Sequence, residues 1–317
     1  MHRVGYLLTE GFQVMALATQ SVFEFANMAA GEPIYKIQNF SQAGGIVRSS
    51  LGMHIDTLPL SAASLAESWM VVGTLTPLTA PGDEVLESVR GFVESARRVA
   101  GICTGAFVLA QAGVLDNRRV TTHWAYAQAL RTTFPKIAVE DDRIFIVDGP
   151  IWTSAGMTAG LDMALGMVEK DLGPELARSV AHKLVMHQRR SGGQSQHSEL
   201  LSMSPKSDRI QSALDYARQH LNRPLSVEEL AEAVHLSPRQ FTRVFTAETG
   251  RSPAKAVESL RLEAARLLLE QSRHSLDIVA RETGFRDRRH MREVFIRGFG
   301  VPPQAVRRDA RRVNERI

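Results

Sequence analysis

Short apolar runs alternate with amphipathic segments along the first 190 residues of the chain. The segments PGDEVLESVRGFVESA, TGAFVLAQAGVL and AYAQALRTTF repeat their apolar residues every three to four positions, which predicts helices. The runs between them have the length and composition of strands, and they are HRVGYLL, EPIYKIQNF, SWMVVG, ARRVAGIC, RRVTTHW, RIFIVD and PIWTSAG. Strands that alternate with helices predict an α/β sandwich, a mostly parallel sheet with helices on both faces.

The pattern changes in the last third of the chain. Two further amphipathic helices, in LDMALGMVEKDLG and PELARSVAHKLVMH, complete the first part. The segment 188–207 is polar and rich in Gly and Ser, which is typical of an interdomain linker, and the pattern beyond it is helical throughout. We therefore expect a first domain over residues 1–190, a linker over 191–206 and an all-α domain over 207–317.

The all-α part contains an internal repeat. The spacing F-x4-G-x-x-P at 245–253 recurs at 295–303, 50 residues later. Before it, each copy has a short helical pattern, a turn and a second helical pattern, in LSVEELAEAVHLSPRQFTRVF and LDIVARETGFRDRRHMREVF. Ser226 with Glu229 predicts a capping box, and Ser237 before Pro238 predicts the start of a second helix. Two helix-turn-helix motifs explain the repeat better than a plain helical bundle.

In each motif the second helix keeps its apolar residues inward and its polar residues outward. Arginine can pair with guanine through two hydrogen bonds, glutamine can pair with adenine, and a hydroxyl can contact a phosphate. The carboxylate of Glu293 could accept from a cytosine amino group. The predicted DNA contacts are Arg239, Gln240, Thr242 and Arg243 in the first motif and Arg288, Arg289, His290 and Arg292 in the second. Recognition helices about 34 Å apart would read successive major grooves.

The charge is distributed unevenly along the chain. The whole protein carries a net charge of +4 at pH 7. Residues 206–317 hold 22 Lys and Arg against 15 Asp and Glu, a balance of +7, whereas residues 1–205 hold 16 against 19, a balance of −3. A basic solvated face would give the same balance, so the charge favours a nucleic-acid partner only together with the repeat.

The C-terminal sequence resembles the DNA-binding domain of the AraC/XylS family over about 100 residues. The resemblance lies within 210–308 and rests on PLSVEELAEAVHLSPRQFTRVFTAETGRSP, RLEAARLLLE and MREVFIRGFGVPPQAVRR. It implies sequence-specific binding to a promoter. It also implies recognition helices near 238–246 and 287–296.

The single cysteine, Cys103, marks a candidate site for chemistry in the first domain. One cysteine allows no intramolecular disulfide and no cysteine-built metal site, and it is typical of a reducing compartment. Cys103 follows an apolar strand and precedes a helix, as in a nucleophile elbow, where the helix N-terminus favours a reactive thiolate. His123 is a candidate neighbour. The alternative is a buried structural cysteine and a hydrogen-bonded histidine.

Residues 1–190 resemble the PfpI/DJ-1 class of the glutamine-amidotransferase-like fold, a flavodoxin-like sandwich. The whole chain resembles the GlxA-type regulators, through VAGICTGAFVLAQAGVLDNRRVTTHW, IVDGPIWTSAGMTAGLDMAL and ARSVAHKLVMHQRRSGGQS. The resemblance implies Cys103 at the elbow, His123 beside it, and Thr74 and Thr104 as backbone donors. The resemblance also implies an acidic residue where this chain has Ala16, and in the catalytic relatives that acid exchanges a proton with the cysteine. Its replacement by Ala16 favours a ligand pocket over an active site.

Together these features predict a ligand-responsive transcriptional regulator that is not an enzyme. We expect an activator that acts as a homodimer, binds promoter DNA, contacts RNA polymerase and senses a small metabolite, by resemblance an amino acid or a quaternary amine. No cofactor, metal ion or membrane is expected, and the lack of a signal peptide or a long apolar run indicates the cytoplasm. The alternatives are a cysteine-dependent hydrolase or amidase and a thiol redox sensor, both using Cys103.

Overall fold

The computed structural model describes residues 1–62, 66–186 and 207–308, together with 190, 192, 196, 203 and 205. The chain forms two compact units, over 1–196 and 197–312. Most of the linker predicted at 191–206 lies outside the described residues.

The first unit is built on an eight-stranded sheet. Its strands are β1 (His2–Leu7), β2 (Tyr35–Ser41), β3 (Ala43–Arg48), β4 (His54–Pro59), β5 (Ser68–Val72), β6 (Arg98–Ile102), β9 (Phe145–Asp148) and β10 (Ile151–Ser154). Their order is β3-β4-β2-β1-β5-β6-β10-β9, and the neighbours are parallel except in the two edge pairs, β3 with β4 and β9 with β10. Two short strands, β7 (Arg119–Val120) and β8 (Ala138–Val139), form a separate pair.

Helices cover both faces of this sheet. They are α1 (Thr19–Ala30), α2 (Asp83–Ser95), α3 (Gly105–Gln111), α4 (Trp124–Thr133), α5 (Met157–Leu172) and α6 (Pro174–Lys183). One buried cluster joins the sheet to α1, α5 and α6, and a second joins its other face to α2, α3 and α4. This arrangement confirms the predicted α/β sandwich.

The sequence pattern did not reveal α1 or the hairpin formed by β3 and β4. In β3 only Val47 is buried, and the strand contains Gly44 and Gly45. An edge strand that exposes most of its side chains carries no apolar run. It is therefore held in the sheet by its pairing with β4 and cannot be recognised from composition.

Strands β1 and β5 lie side by side at the centre of the sheet. From β1 the chain continues outward through β2, and from β5 it continues in the opposite direction through β6. The loops that follow β1 and β5 therefore diverge and leave a crevice at the carboxyl edge of the sheet. Open α/β sheets bind their ligands at such a reversal of strand order.

The second unit is helical in all its described elements. They are α7 (Asp208–Gln219), α8 (Val227–Glu232), α9 (Pro238–Thr249), α10 (Pro253–Gln271), α11 (Leu276–Glu282) and α12 (Arg288–Phe299). One core surrounds Phe241 and Phe245, and the other surrounds Met291 and Phe295. The long helix α10 contributes residues to both cores, so it joins two helix-turn-helix motifs, as the repeat predicts.

The helix caps differ in one respect from the prediction. Ser226 caps α8 by accepting a hydrogen bond from the backbone N–H of Glu229 at 3.1 Å. The capping box predicted there is wrong, because the Glu229 carboxylate accepts instead from the hydroxyl of Tyr216 at 2.8 Å. The complete box starts α9, where Ser237 and Gln240 exchange hydrogen bonds between side chain and backbone.

Candidate functional site

A cavity of about 350 Å³ lies at the carboxyl edge of the sheet, in the crevice between the loops after β1 and β5. Hydroxyl groups make up much of its polar lining, and they come from Thr9, Ser41, Thr74, Thr76, Thr79 and Thr104. Glu10 adds a carboxylate, which accepts from the backbone N–H of Arg48 at 3.3 Å. A cavity of this size and position suits a small polar metabolite.

Two of the predicted pocket residues, Thr74 and Thr104, line this cavity together. The Thr104 hydroxyl donates to the backbone carbonyl of Thr74 at 2.7 Å. The start of α3 is pressed against the end of β5, because a Cβ added at Gly105 would lie 2.1 Å from the carbonyl oxygen of Val71. The contact between the end of β5 and the start of α3 is therefore one that only glycine permits.

Cys103 occupies the predicted elbow, but it does not line the cavity. It has a φ of 56° in the left-handed region, so the strain of the turn falls on the cysteine itself. Its N–H donates to the carbonyl of Ser154 at 3.0 Å, and its carbonyl accepts from the Thr122 hydroxyl at 2.9 Å. The residue is 3% exposed, inside an apolar cluster.

The surroundings of Cys103 disfavour the thiolate form of its side chain. Burial raises the pKa of the Cys103 thiol to about 11, and hydrogen bonds from Thr104 oppose this shift only in part. The helix that follows has only seven residues, so its N-terminus offers limited stabilisation of a negative charge. Cys103 is accordingly a neutral thiol at pH 7, since desolvation outweighs the local dipoles.

His123 is the N-cap of α4, and its Nδ1 accepts from the backbone N–H of Ala125 at 3.3 Å. Its ring lies against Trp124 and Tyr126, with centroid distances of 5.6 and 6.1 Å. The hydroxyl of the preceding residue, Thr122, donates the hydrogen bond to the Cys103 carbonyl. His123 does not line the cavity either, and its nitrogen serves to start a helix.

Ala16 ends up in the same buried cluster as Cys103, outside the cavity lining. It lies in the 3-10 helix Val14–Ala18, and its carbonyl accepts from the Thr19 hydroxyl at 2.7 Å. The hydroxyl of Tyr6 completes this pair at 2.8 Å from Thr19 Oγ1. The position that carries an acid in the resembling proteins thus carries a methyl group in an apolar core.

A residue that the sequence pattern did not mark connects the elbow region to the end of the first unit. Gln196 Nε2 lies 3.1 Å from Thr121 Oγ1, 2.9 Å from the Thr122 carbonyl and 3.1 Å from the Arg143 carbonyl. Its Oε1 accepts from the backbone N–H of Trp124 at 2.8 Å. No sequence signal reveals Gln196, because its Gly/Ser-rich surroundings resemble a free linker.

The second candidate site is the outward face of α9 and α12. The predicted contacts on both helices are exposed, apart from His290, which is half-buried. Within the described part of the chain, no ion pair engages Arg239, Arg243, Arg288 or Arg292, and their guanidinium groups are available to DNA. Arg289 differs, since its Nε lies 3.2 Å from Glu293 Oε1.

Three of the predicted contacts have structural partners that restrict them. Gln240 Oε1 is used in the capping box, so Gln240 cannot offer both amide atoms to adenine while the box is formed. The Thr242 hydroxyl donates to the carbonyl of Pro238 at 2.9 Å, which leaves its methyl group for a thymine contact. His290 Nδ1 accepts from the backbone N–H of Arg286 at 3.4 Å.

The described ranges contain neither a cluster of metal ligands nor a membrane-spanning helix. Among these residues, no group of three His, Cys, Asp or Glu side chains is arranged to hold a metal ion. No helix in this part of the chain is both long and apolar enough to cross a bilayer.

Comparison with known proteins finds a family match within each of the two units. Residues 64–170 match the DJ-1/PfpI family, and residues 230–309 match a helix-turn-helix domain family. The chain is 33% identical over 322 residues to the HTH-type transcriptional regulator GlxA of Rhizobium meliloti, covering 97% of this chain and 96% of that protein. An isonitrile hydratase of Pseudomonas putida is 39% identical over 102 residues, 32% of this chain and 43% of the hydratase.

A solved structure supports the fold of a little more than half of the chain. The crystal structure of an AraC family transcriptional regulator from Pseudomonas putida has a TM-score of 0.53 and 25% identity, covering 58% of this chain and all of that chain. The GlxA regulator matches almost the whole chain, whereas the hydratase matches only about a third of it. The chain therefore belongs to the GlxA-type family of DNA-binding transcriptional regulators, in which a DJ-1/PfpI domain precedes an AraC-type helix-turn-helix domain.

Proposed function

We propose that the DJ-1/PfpI unit senses a small metabolite, and that the metabolite binds in the 350 Å³ cavity at the carboxyl edge of the sheet. The cavity carries the proposal, since it occupies the ligand position of open α/β sheets and has a mixed polar and apolar lining. Of the pocket residues predicted from sequence, Thr74 and Thr104 belong to it. Cys103, His123 and Ala16 lie outside its lining.

We propose an amino acid or a quaternary amine as the effector. The Glu10 carboxylate supports a cationic group, because an opposite charge in the cavity offsets the desolvation of the ligand. The prolines and valines of the lining, Pro77, Pro81, Val47, Val85 and Val108, offer contacts to methyl or methylene groups. The threonine hydroxyls can then bind the remaining polar atoms.

A series of contacts leads from Thr104 in the cavity lining to the end of the first unit. It supports a proposal for how ligand binding affects DNA binding. Thr104 follows Cys103 in the elbow, the Cys103 carbonyl is held by Thr122, and Thr122 is bound by Gln196 at the end of the first unit. An effector that favours one arrangement of this chain of contacts would change how the following segment leaves the unit. We propose that this change alters promoter binding.

The mode of regulation is proposed on the family resemblance. We propose that the protein acts as a homodimer, that it activates transcription through contact with RNA polymerase, and that it works in the cytoplasm. Two recognition helices in each chain are compatible with such a role, because each can read one major-groove turn.

We propose that the protein is not an enzyme. The neutral, buried thiol of Cys103 and the methyl group of Ala16 both argue against acid–base chemistry at the elbow. Turnover of isonitriles or amides by the purified protein, abolished in Cys103→Ser, would overturn this. Loss of DNA binding after peroxide treatment in the wild type but not in Cys103→Ser would point to a thiol redox sensor.

The sensing proposal is tested by thermal unfolding of the full chain in the presence of single amino acids and quaternary amines. We expect at least one compound to raise the unfolding temperature of the wild type, and to change its affinity for promoter DNA. Glu10→Gln should weaken the response at least about ten-fold, whereas Glu24→Gln, on the exposed face of α1, should not change it. A response that is equal in both variants would place the effector elsewhere.

A further inference from the structure

The two recognition helices differ in the charge of their outward faces. On α9 the outward residues up to Ala247 include Arg239 and Arg243 and no carboxylate, and Glu248 is turned to the backbone and side chain of Ser207. On α12 a carboxylate lies among the arginines, at Glu293. The second helix therefore presents a mixed surface to a polyanion.

Glu293 is paired with one particular arginine. Its Oε1 lies 3.2 Å from Arg289 Nε, one helical turn earlier, and the side chains are 55% and 86% exposed. An exposed ion pair of this kind adds little to the stability of a fold. The carboxylate is therefore not needed to hold α12 in place, yet it lies on the face that is predicted to meet the phosphates.

The pair limits what Arg289 can do. Its Nε–H is engaged by Glu293, whereas Arg288 and Arg292 have no ion pair in the described chain. A phosphate that contacts Arg289 must also approach the Glu293 carboxylate, and the repulsion between the two negative groups costs electrostatic energy. A guanine edge offers two acceptors that match the donor geometry of arginine. Because it carries no net charge, the Glu293 carboxylate does not repel it as it repels a phosphate.

We propose that Glu293 is a specificity-determining residue that acts through Arg289. It holds the guanidinium back from sequence-independent contacts with the DNA backbone and releases it where a base edge accepts two hydrogen bonds. Glu293 is thus a positioning residue and touches no base itself. The proposal rests on α12 being a recognition helix.

The experiment uses the full chain and two duplexes of equal length. One duplex is recovered by selection from a random pool with the wild-type protein, and the other is its shuffled sequence. Affinities are measured by fluorescence anisotropy over a series of salt concentrations. The variants are Glu293→Gln, Arg289→Ala and their combination, together with Arg288→Ala and Arg292→Ala, which test whether α12 faces DNA. The control is Glu282→Gln, which removes the same charge from the exposed Arg281–Glu282 pair on α11.

Glu293→Gln should bind the shuffled duplex about ten-fold more tightly and the selected duplex at most about three-fold more tightly, which lowers the discrimination. The dependence of log K on log salt should steepen by about one, because the freed arginine gains about one phosphate contact. Glu282→Gln should change both affinities equally and less than about two-fold. In the Arg289→Ala background, Glu293→Gln should not change the discrimination.

Three results would overturn the proposal. If Glu293→Gln weakens the selected duplex more than the shuffled one, Glu293 contacts a base directly. If it behaves like Glu282→Gln, the pair has no role in recognition. If Arg288→Ala and Arg292→Ala leave both affinities unchanged, α12 does not face DNA, and the placement of the recognition helix fails together with the proposal.

Discussion

Arg190 forms a forked pair with Asp162, a carboxylate of α5 that is completely buried. Arg190 Nε donates to Asp162 Oδ2 at 2.9 Å, and the backbone N–H of Arg190 donates to Oδ1 at the same distance. A fully buried carboxylate requires such partners, because an uncompensated charge in the interior is very costly. The pair therefore binds Arg190, which follows α6 in the chain, to the core of the first unit.

Replacing Arg190 should destabilise the first unit strongly. Arg190→Ala leaves the Asp162 carboxylate with one fewer charged partner, and we expect the free energy of unfolding to fall by about 3 kcal/mol. Arg178→Ala is the control, since Arg178 and Glu175 form an exposed pair on α6 worth less than about 0.5 kcal/mol.

All three tryptophans, Trp69, Trp124 and Trp152, lie in the first unit, so tryptophan fluorescence during urea unfolding measures the unfolding of this unit selectively. Equal losses in the two variants would contradict the prediction.

The raised pKa of Cys103 makes the stability depend on pH. The folded thiol has a pKa of about 11 against 9.0 for an unperturbed cysteine, so the folded state binds more protons than the unfolded state between these values. The stabilising effect of the protonated thiol is present below pH 9 and is lost as the pH rises towards 11. Two pKa units correspond to about 3 kcal/mol.

The effect is measured as the difference between the wild type and Cys103→Ala in unfolding free energy at pH 8, 9, 10 and 11. Other groups titrate in both proteins, so the difference isolates the thiol. We also expect iodoacetamide to label Cys103 in the folded wild type far more slowly at pH 7 than in urea. Fast labelling of the folded protein would show that the thiol is accessible and ionised.

Two glycine-to-alanine substitutions should have opposite effects, because Gly105 lies in the close contact at the elbow and Gly91 does not. Gly105→Ala places a Cβ 2.1 Å from the Val71 carbonyl, and we expect it to cost about 2 to 3 kcal/mol of unfolding free energy. Gly91→Ala, on the exposed side of α2, meets no atom within 4 Å. It should stabilise the protein by about 0.5 to 1 kcal/mol, because alanine is the better helix former. A neutral Gly105→Ala would mean that β5 and α3 are not pressed together.

The arginines without ion pairs should matter most for DNA binding. Arg243→Ala removes a guanidinium from the outward face of α9, and we expect a loss of about 1–3 kcal/mol in affinity for the selected duplex. Arg218→Ala on α7 removes the same charge from an exposed residue outside both recognition helices, and it should cost much less. Similar losses in both variants would indicate that the affinity for DNA depends only on the overall charge.

The architecture could be predicted from the sequence because it is encoded locally. The strand and helix patterns of the first unit, the repeat F-x4-G-x-x-P and the cap at Ser237 each depend on residues close together in the chain. The capping box at Ser226 was wrong for a non-local reason, since Glu229 is taken by Tyr216 from α7. A local pattern cannot show which distant partner competes for a side chain.

The alternation of strands and helices in the first part, the two-part organisation and the DNA-reading character of the last third follow from the sequence by itself, because hydrophobic period, turn residues and charge are properties of neighbouring residues. Only the tertiary structure decided that the cavity includes Thr74 and Thr104 and leaves Cys103 behind it, and that the thiol is neutral. It alone showed that Gln196 and Arg190 are bound to the first unit. Burial, desolvation and long-range hydrogen bonds arise when segments far apart in the chain meet, and no sequence period records them.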